Sequence, residues 1–286
     1  MKPVRDDQTD KPTDPSDIIA RKKEFYSDAG LVSEYDETRF QSGYGRFKDE
    51  LERGLFKRHV LLPPNPVILD CGAGTGRFSA FLKESLGNDA RLVATDYSRA
   101  MLDNARSHRL KPYLERNVSF VRSDIYALPF ATASFDLVTS MHVLIHLPKW
   151  EEILTGFHRV LKPGGVAYFD LLSADYRAMR EGLKKPLAWL PRDRTNEVVR
   201  YEDSYHNFVS AKEVEETLRN VGFTSVEILA YDILYSFYIR NVIGMRRIDR
   251  FLDRTRRGER PMRLMLNLSH VLSARWSPQV LVIARK

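Results

Sequence analysis

Two periods of apolar residues divide this chain into zones. Between residues 18 and 62 the spacing is helical: Leu31, Tyr35 and Arg39 stand four apart, and Phe47, Leu51 and Leu55 repeat that interval. Beyond residue 63 the pattern changes to short apolar runs, each followed by a helix-forming stretch. The runs predict strands near 66–71, 91–95, 118–122, 135–140 and 165–172, and the stretches predict helices near 76–86, 98–108 and 149–161. Strand and helix in alternation imply an α/β fold with a parallel, doubly wound sheet and right-handed crossovers. Further on, Ser210 with Glu213 three residues later reads as a capping box, and Gly222 as the end of that helix. Phe223 to Ala230 and Gln279 to Ala284 supply two final strands.

The zones that follow are a tail at 1–17, a helical cap at 18–62, a core at 63–172, an insertion at 173–209, a continuation of the core at 210–230, a second insertion at 231–278 and a last core strand at 279–286. The tail is rich in Asp, Lys, Pro and Thr and has too little apolar surface to offset the entropy of ordering, so order is expected to begin near Ile18. Both insertions exceed the usual length of a connection, and such segments commonly carry lids or binding surfaces.

Candidate chemistry concentrates in Val67-Ile68-Leu69-Asp70-Cys71-Gly72-Ala73-Gly74-Thr75-Gly76. An apolar strand runs into an acidic residue, three alternate glycines and a helix. Glycines here let the backbone turn tightly and approach a ligand, and the helix N-terminus faces the same space. A dinucleotide fingerprint needs a glycine at position 77, which is Arg. Asp-x-Gly-x-Gly-x-Gly instead resembles motif I of the class I S-adenosylmethionine (SAM) methyltransferases. Four more segments stand in that family's order: Arg91 to Asp96, Val118 to Ile125, Ser134 to Ser140, and Arg159 to Tyr168 with its Pro163-Gly164-Gly165 turn. The last is similar to the small-molecule, ubiquinone/menaquinone-methyltransferase-like branch.

The resemblance implies a Rossmann-like, seven-stranded, mostly parallel sheet whose last strand is antiparallel between its neighbours. It implies SAM as cofactor, with Asp70, Gly72, Ala73, Gly74 and Gly76 in its loop. Asp96 would accept from the ribose hydroxyls, with Tyr97 and Met101 beside it. Asp124 would accept from the adenine amine while Ile125 packs on the ring. Ser140, ending the fourth strand, belongs to the same set. Ser33 to Phe40 resembles the family's N-terminal cap, which implies that Tyr35 covers the methionine end and Arg39 meets the cofactor carboxylate; a surface role for Arg39 stands equally. Taken singly, Asp96 and Asp124 also read as helix N-caps.

Composition narrows the class. With 286 residues and 43% hydrophobic content the chain can bury one large core. Its single cysteine, Cys71, excludes an intramolecular disulfide. No leader-like apolar segment and no window of membrane-spanning length occur, so a cytoplasmic protein is expected. The net charge of +7 is local: from Tyr231 onward there are 12 basic and 4 acidic residues. There Leu234, Tyr238, Val242, Met245, Ile248 and Leu252 form a helical stripe flanked by Arg240, Arg246, Arg247, Arg250 and Arg254. It reads first as a helix packed on the core with arginines in water and second as a peripheral membrane contact. A nucleic-acid surface is disfavoured, and oligomeric state is not legible.

Methyl transfer needs alignment, exclusion of water and, for a hydroxyl acceptor, a base. His142 and His146 follow the fourth strand four residues apart and are the catalytic candidates; a packing or capping role is the alternative for each. Tyr201, Tyr205 and His206 are candidates for the acceptor pocket, with 173–209 as an acceptor-side lid. No Asn/Asp-Pro-Pro loop for base amino groups and no free cysteine outside the glycine loop are present, and no residue set has metal-ligand spacing. The expected function is SAM-dependent methylation of a small molecule; a hydrophobic acceptor, for example a quinone precursor, fits the aromatic insertions without being fixed by them. An RNA or protein methyltransferase using the basic segment, and a SAM-binding scaffold without turnover, are the rivals.

Overall fold

Strand β1 (Val67–Cys71) is buried from Ile68 onward on both faces, as suits an interior strand covered by helices on each side. The computed structural model describes residues 14–28, 30, 32, 35, 40, 43–184, 205–231, 267 and 277–286. In it, β1 pairs in parallel with β2 (Arg91–Asp96) and β4 (Phe135–Ser140). Beyond them lie β3 (Val118–Arg122) on one side and β5 (Leu161–Ser173) on the other, both parallel. A two-residue strand, β6 (Phe208–Val209), hangs on the end of β5. β7 (Ser225–Ala230) forms the far edge, and β8 (Gln279–Arg285) is antiparallel between β5 and β7. The order β3-β2-β1-β4-β5-β8-β7 reverses direction between β1 and β4, the switch point where open α/β sheets bind ligands.

The described helices are α1 (Pro15–Phe25), α2 (Gly43–His59), α3 (Arg77–Leu86), α4 (Arg99–Ser107), α5 (Trp150–Val160), α6 (Ala174–Lys184) and α7 (Ala211–Val221). Strand periodicity sorts the core into two layers. Val166 and Tyr168 of β5 face Leu55 and Phe56 of α2 and Phe78 and Phe81 of α3, whereas Ala167, Phe169 and Leu171 face Phe157 of α5 and Leu218 of α7. The first layer is aromatic: Phe78 stacks on Tyr168 with ring centroids 5.8 Å apart, and Phe56 meets the same ring edge-on at 5.2 Å.

Local signals account for most boundaries. Ser210 Oγ accepts the Glu213 N–H at 3.2 Å at the start of α7, and Gly222 closes it with φ +112°. α1 begins at Pro15, three residues before Ile18, because Asp14 caps it by accepting the Ser16 N–H at 2.7 Å and Pro15 needs no donor at that position. The Pro163-Gly164-Gly165 turn is not a connection before a strand: it is a bulge inside β5. Phe135 pairs with Leu161 but Leu137 with Val166, so three residues loop out, and the Gly164 N–H and Gly165 carbonyl bond to Lys286. The sheet has the seven expected strands on its main path, with β6 as an addition. Arg39, Tyr201 and the arginine-flanked stripe of the second insertion lie outside the described residues. Among the described residues no helix is long and apolar enough to cross a membrane.

Candidate active site

The loop after β1 is shaped by positions that need glycine. At Gly72 φ is +71°, and a Cβ there would overlap the Val143 side chain. The Gly72 and Ala73 N–H groups donate to the Thr95 carbonyl at 2.8 and 2.9 Å, folding the loop over the end of β2. At Gly76 φ is +80°, and a Cβ would press on Ala105 and Leu110 at 3.1 Å, so the first turn of α3 lies close against α4. The Asp96 carboxylate ties the loop to α4: Oδ2 accepts the Gly74 N–H at 2.9 Å and Oδ1 the Ser98 N–H at 2.8 Å. Burial raises its carboxyl above the usual range, with these N–H bonds pulling the other way.

These elements wall a cavity at the switch point. Of the residues expected at a cofactor site, Tyr35, Gly72, Gly74, Asp96, Tyr97, Met101, Asp124 and Ile125 line it, as do His142 and His146. Asp70, Ala73, Gly76 and Ser140 do not. Asp70 is buried in the sheet, where Oδ2 accepts from Ser79 at 2.5 Å and Oδ1 from Thr139 at 2.7 Å, so both oxygens strap β1 to α3 and β4. Ser140 Oγ donates to the Cys71 carbonyl at 2.9 Å. Ala73 and Gly76 shape the loop without facing the cavity. Burial pushes the Cys71 thiol up, which leaves it an unreactive packed residue.

His142 is not placed as a free base. Its φ is +62°, and its backbone N–H donates to Asp170 Oδ1 at 2.6 Å. Its ring Nδ1 lies 3.3 Å from Asp170 Oδ2 and its Nε2 lies 2.8 Å from Glu52 Oε1. Glu52 Oε2 in turn meets the Arg77 guanidinium at 2.9 Å, and Arg77 also pairs with Asp49. Burial alone would lower the His142 pKa, but Glu52 and Asp170 raise it above the ordinary histidine value. Burial alone would raise Glu52, but His142 and Arg77 hold its carboxyl well below the carboxylate range. The ring is thus clamped between two carboxylates, joining α2, the post-β4 loop and β5.

His146 is buried on the cavity wall, with its ring centroid 6.1 Å from that of Tyr26 and 5.2 Å from that of His206. His206, expected near the acceptor, is exposed and reaches this wall because Asn207 N–H donates to the Ile145 carbonyl at 2.9 Å and β6 docks on β5. Tyr205 does not line the cavity. Among the lining residues that escaped the sequence reading, Ser123 and those of α1 matter most. Ser123 lines the cavity beside Asp124, and its buried hydroxyl has no hydrogen-bond partner among the described residues. α1 supplies Lys22, Lys23 and Tyr26, and Lys23 Nζ donates to Asp124 Oδ2 at 2.6 Å. The helical period of α1 marks its faces but not what they meet.

Comparison with known proteins places this geometry. Residues 68–165 match the family described as methyltransferase domain. The chain is 32% identical over 168 residues to a demethylmenaquinone methyltransferase of Lactococcus lactis, covering 56% of this chain and 66% of that protein. It is 31% identical over 129 residues to a ubiquinone/menaquinone biosynthesis C-methyltransferase of Legionella pneumophila, covering 43% of this chain and 52% of that one. The matches thus span about half to two thirds of the curated relatives' length. A Thermotoga maritima structure, described as a SAM-dependent methyltransferase and possible histamine N-methyltransferase, shares the fold with a TM-score of 0.55 and 19% identity, covering 90% of this chain and 97% of that one. With the glycine loop, the carboxylates at the ends of β2 and β3 and the matched domain in register, the chain belongs to the class I SAM-dependent methyltransferases.

Proposed function

We propose that this chain transfers the methyl group of SAM to a small molecule with a flat, apolar ring, such as the quinone precursors named for its relatives. The observation that carries the reading is a single cavity with two kinds of wall. One wall holds the glycine loop, Asp96, Asp124 and the unpartnered Ser123 hydroxyl, a donor and acceptor set that suits a nucleoside. The other presents Tyr26, Tyr35, Val143, His146 and Leu147, which suit an aromatic acceptor.

Bound SAM would supply an electrophilic methyl on a sulfonium, a good leaving group. The chain's part is then alignment and exclusion of water. Asp96 and Asp124 orient the nucleoside, Gly72 and Gly74 give it close backbone contact, and the Glu52–His142–Asp170 clamp holds the post-β4 loop against it. His142, engaged at both ring nitrogens, acts as a positioning residue in this reading. His146 is the ring offered as acceptor of the substrate proton.

Calorimetric titration of cofactor-stripped protein with SAM, with NAD as control, tests the cofactor half. Saturable SAM binding without NAD binding is expected, and Asp96→Ala should weaken it at least about tenfold, as loss of charge-assisted hydrogen bonds implies. Unchanged affinity in a folded Asp96→Ala variant would refute the ribose placement. Release of S-adenosylhomocysteine across a panel of phenols and quinols tests the acceptor half.

A further inference from the structure

Lys23 is the one cation of α1 that the structure places on a cavity carboxylate at hydrogen-bond distance among the described residues. Its ammonium is 2.6 Å from Asp124 Oδ2 and 4.5 Å from the centroid of the Tyr97 ring. The other oxygen of Asp124 accepts the Tyr126 N–H at 3.1 Å. Neither member of the pair is deeply buried, with side-chain exposures of 27% and 32%. Lys23 also borders a second hollow, an open groove that shares Tyr97, Asp124 and Tyr126 and runs out past Glu24 and Glu152. The lysine is thus a partition between the cavity and this groove, with room and carboxylates on its outer side.

A donor on Asp124 above the Tyr97 face is the position that the exocyclic amine of a purine would take in the cofactor reading given above, on which this inference rests. An amine reaching Oδ2 must enter the space that the ammonium already fills, whereas an oxo group placed there needs that donor. We propose that Lys23 is a specificity-determining residue of the base subsite, competing with an amino group for Asp124 and supplying a donor to an oxo group in its place. An aminopurine nucleoside displaces the ammonium into the outer groove. A 6-oxopurine, whose oxygen would otherwise face the Asp124 carboxylate, is bridged to it by the ammonium. Lys23 therefore narrows the preference of the site for adenine over hypoxanthine.

The test compares the full-length wild type with Lys23→Met and Lys23→Arg by calorimetry, using S-adenosylhomocysteine and S-inosylhomocysteine as probes. Neither probe carries a sulfonium, so relief of simple charge repulsion between lysine and cofactor does not enter. Lys23→Met is expected to bind S-adenosylhomocysteine about fivefold more tightly and S-inosylhomocysteine about fivefold more weakly, the scale of a partly exposed ion pair. Lys23→Arg, which keeps the charge, should follow the wild type. Unchanged or weaker binding of S-adenosylhomocysteine by Lys23→Met, or a shift of both probes in one direction, overturns the proposal while leaving the cofactor reading intact. Failure of wild type and variants to bind either probe overturns the cofactor reading, and the proposal with it.

Discussion

Replacing Glu52 by glutamine removes one charge and almost no volume. Glu52 is fully buried, with Oε1 2.8 Å from His142 Nε2 and Oε2 2.9 Å from the Arg77 guanidinium, and the Tyr231 hydroxyl donates to Oε1 at 3.3 Å. A glutamine amide must turn its NH₂ toward one of these donors, and the Arg77 guanidinium and the His142 ring each lose a carboxylate partner. Breaking a buried pair from one side destabilises by about 3–5 kcal/mol. Arg77 keeps Asp49 and His142 keeps Asp170, so the lower end, about 3 kcal/mol, is expected. With an unfolding entropy of about 2.1 cal/mol/K per residue, that loss lowers the melting temperature of a chain this long by about 5 °C. The pH profile distinguishes electrostatics from packing. The folded pKa of His142 is raised, so its contribution is complete below the unfolded value of about 6.5 and fades as pH rises through the folded value. The folded pKa of Glu52 is lowered, so its contribution is complete above about 4.3 and fades as pH falls through the folded value. Urea unfolding of wild type should therefore show a plateau between two declining limbs. In Glu52→Gln the alkaline limb moves to lower pH and the acid limb shrinks. A variant within about 1 kcal/mol of wild type, with the same two limbs, would refute the account of a charge-clamped network.

Two other substitutions probe the loop and a cap. Gly72→Ala forces a side chain into a left-handed backbone and onto Val143, so urea unfolding should report a loss of about 2–4 kcal/mol, and SAM titration should report lost binding. Ser210→Ala removes the oxygen that accepts the Glu213 N–H, and a loss of about 1 kcal/mol with unaltered SAM affinity is the expected outcome.

The parts of the fold legible in the sequence are those governed by local period. β1, β2, β3 and β4 fall within a residue or so of the predicted runs because each is an apolar run bounded by turn or cap residues. Pro163-Gly164-Gly165 misleads because the same residues suit a turn and a bulge, and only the pairing of Phe135 with Leu161 distinguishes them. For the site, the sequence places the loop and both carboxylates but not what surrounds them. His142 carries a base-like side chain, yet its state is set by Glu52 and Asp170, which are 90 and 28 positions away. Asp70 has the motif position of a ligand, but its oxygens are taken by Ser79 and Thr139, and the latter is 69 positions distant. Such long-range partners leave no periodic trace.

The place of β8 has a consequence for synthesis. During translation, β5 and β7 leave the ribosome well before residues 279–285, yet both depend on β8 to join them. A nascent chain complete only through Ala230 has the inner edge of β5 and the whole of β7 open, with buried-type residues such as Phe169 and Leu229 beside them. Open apolar edges invite pairing with other chains, so the interval before β8 emerges is when this chain is most exposed to aggregation.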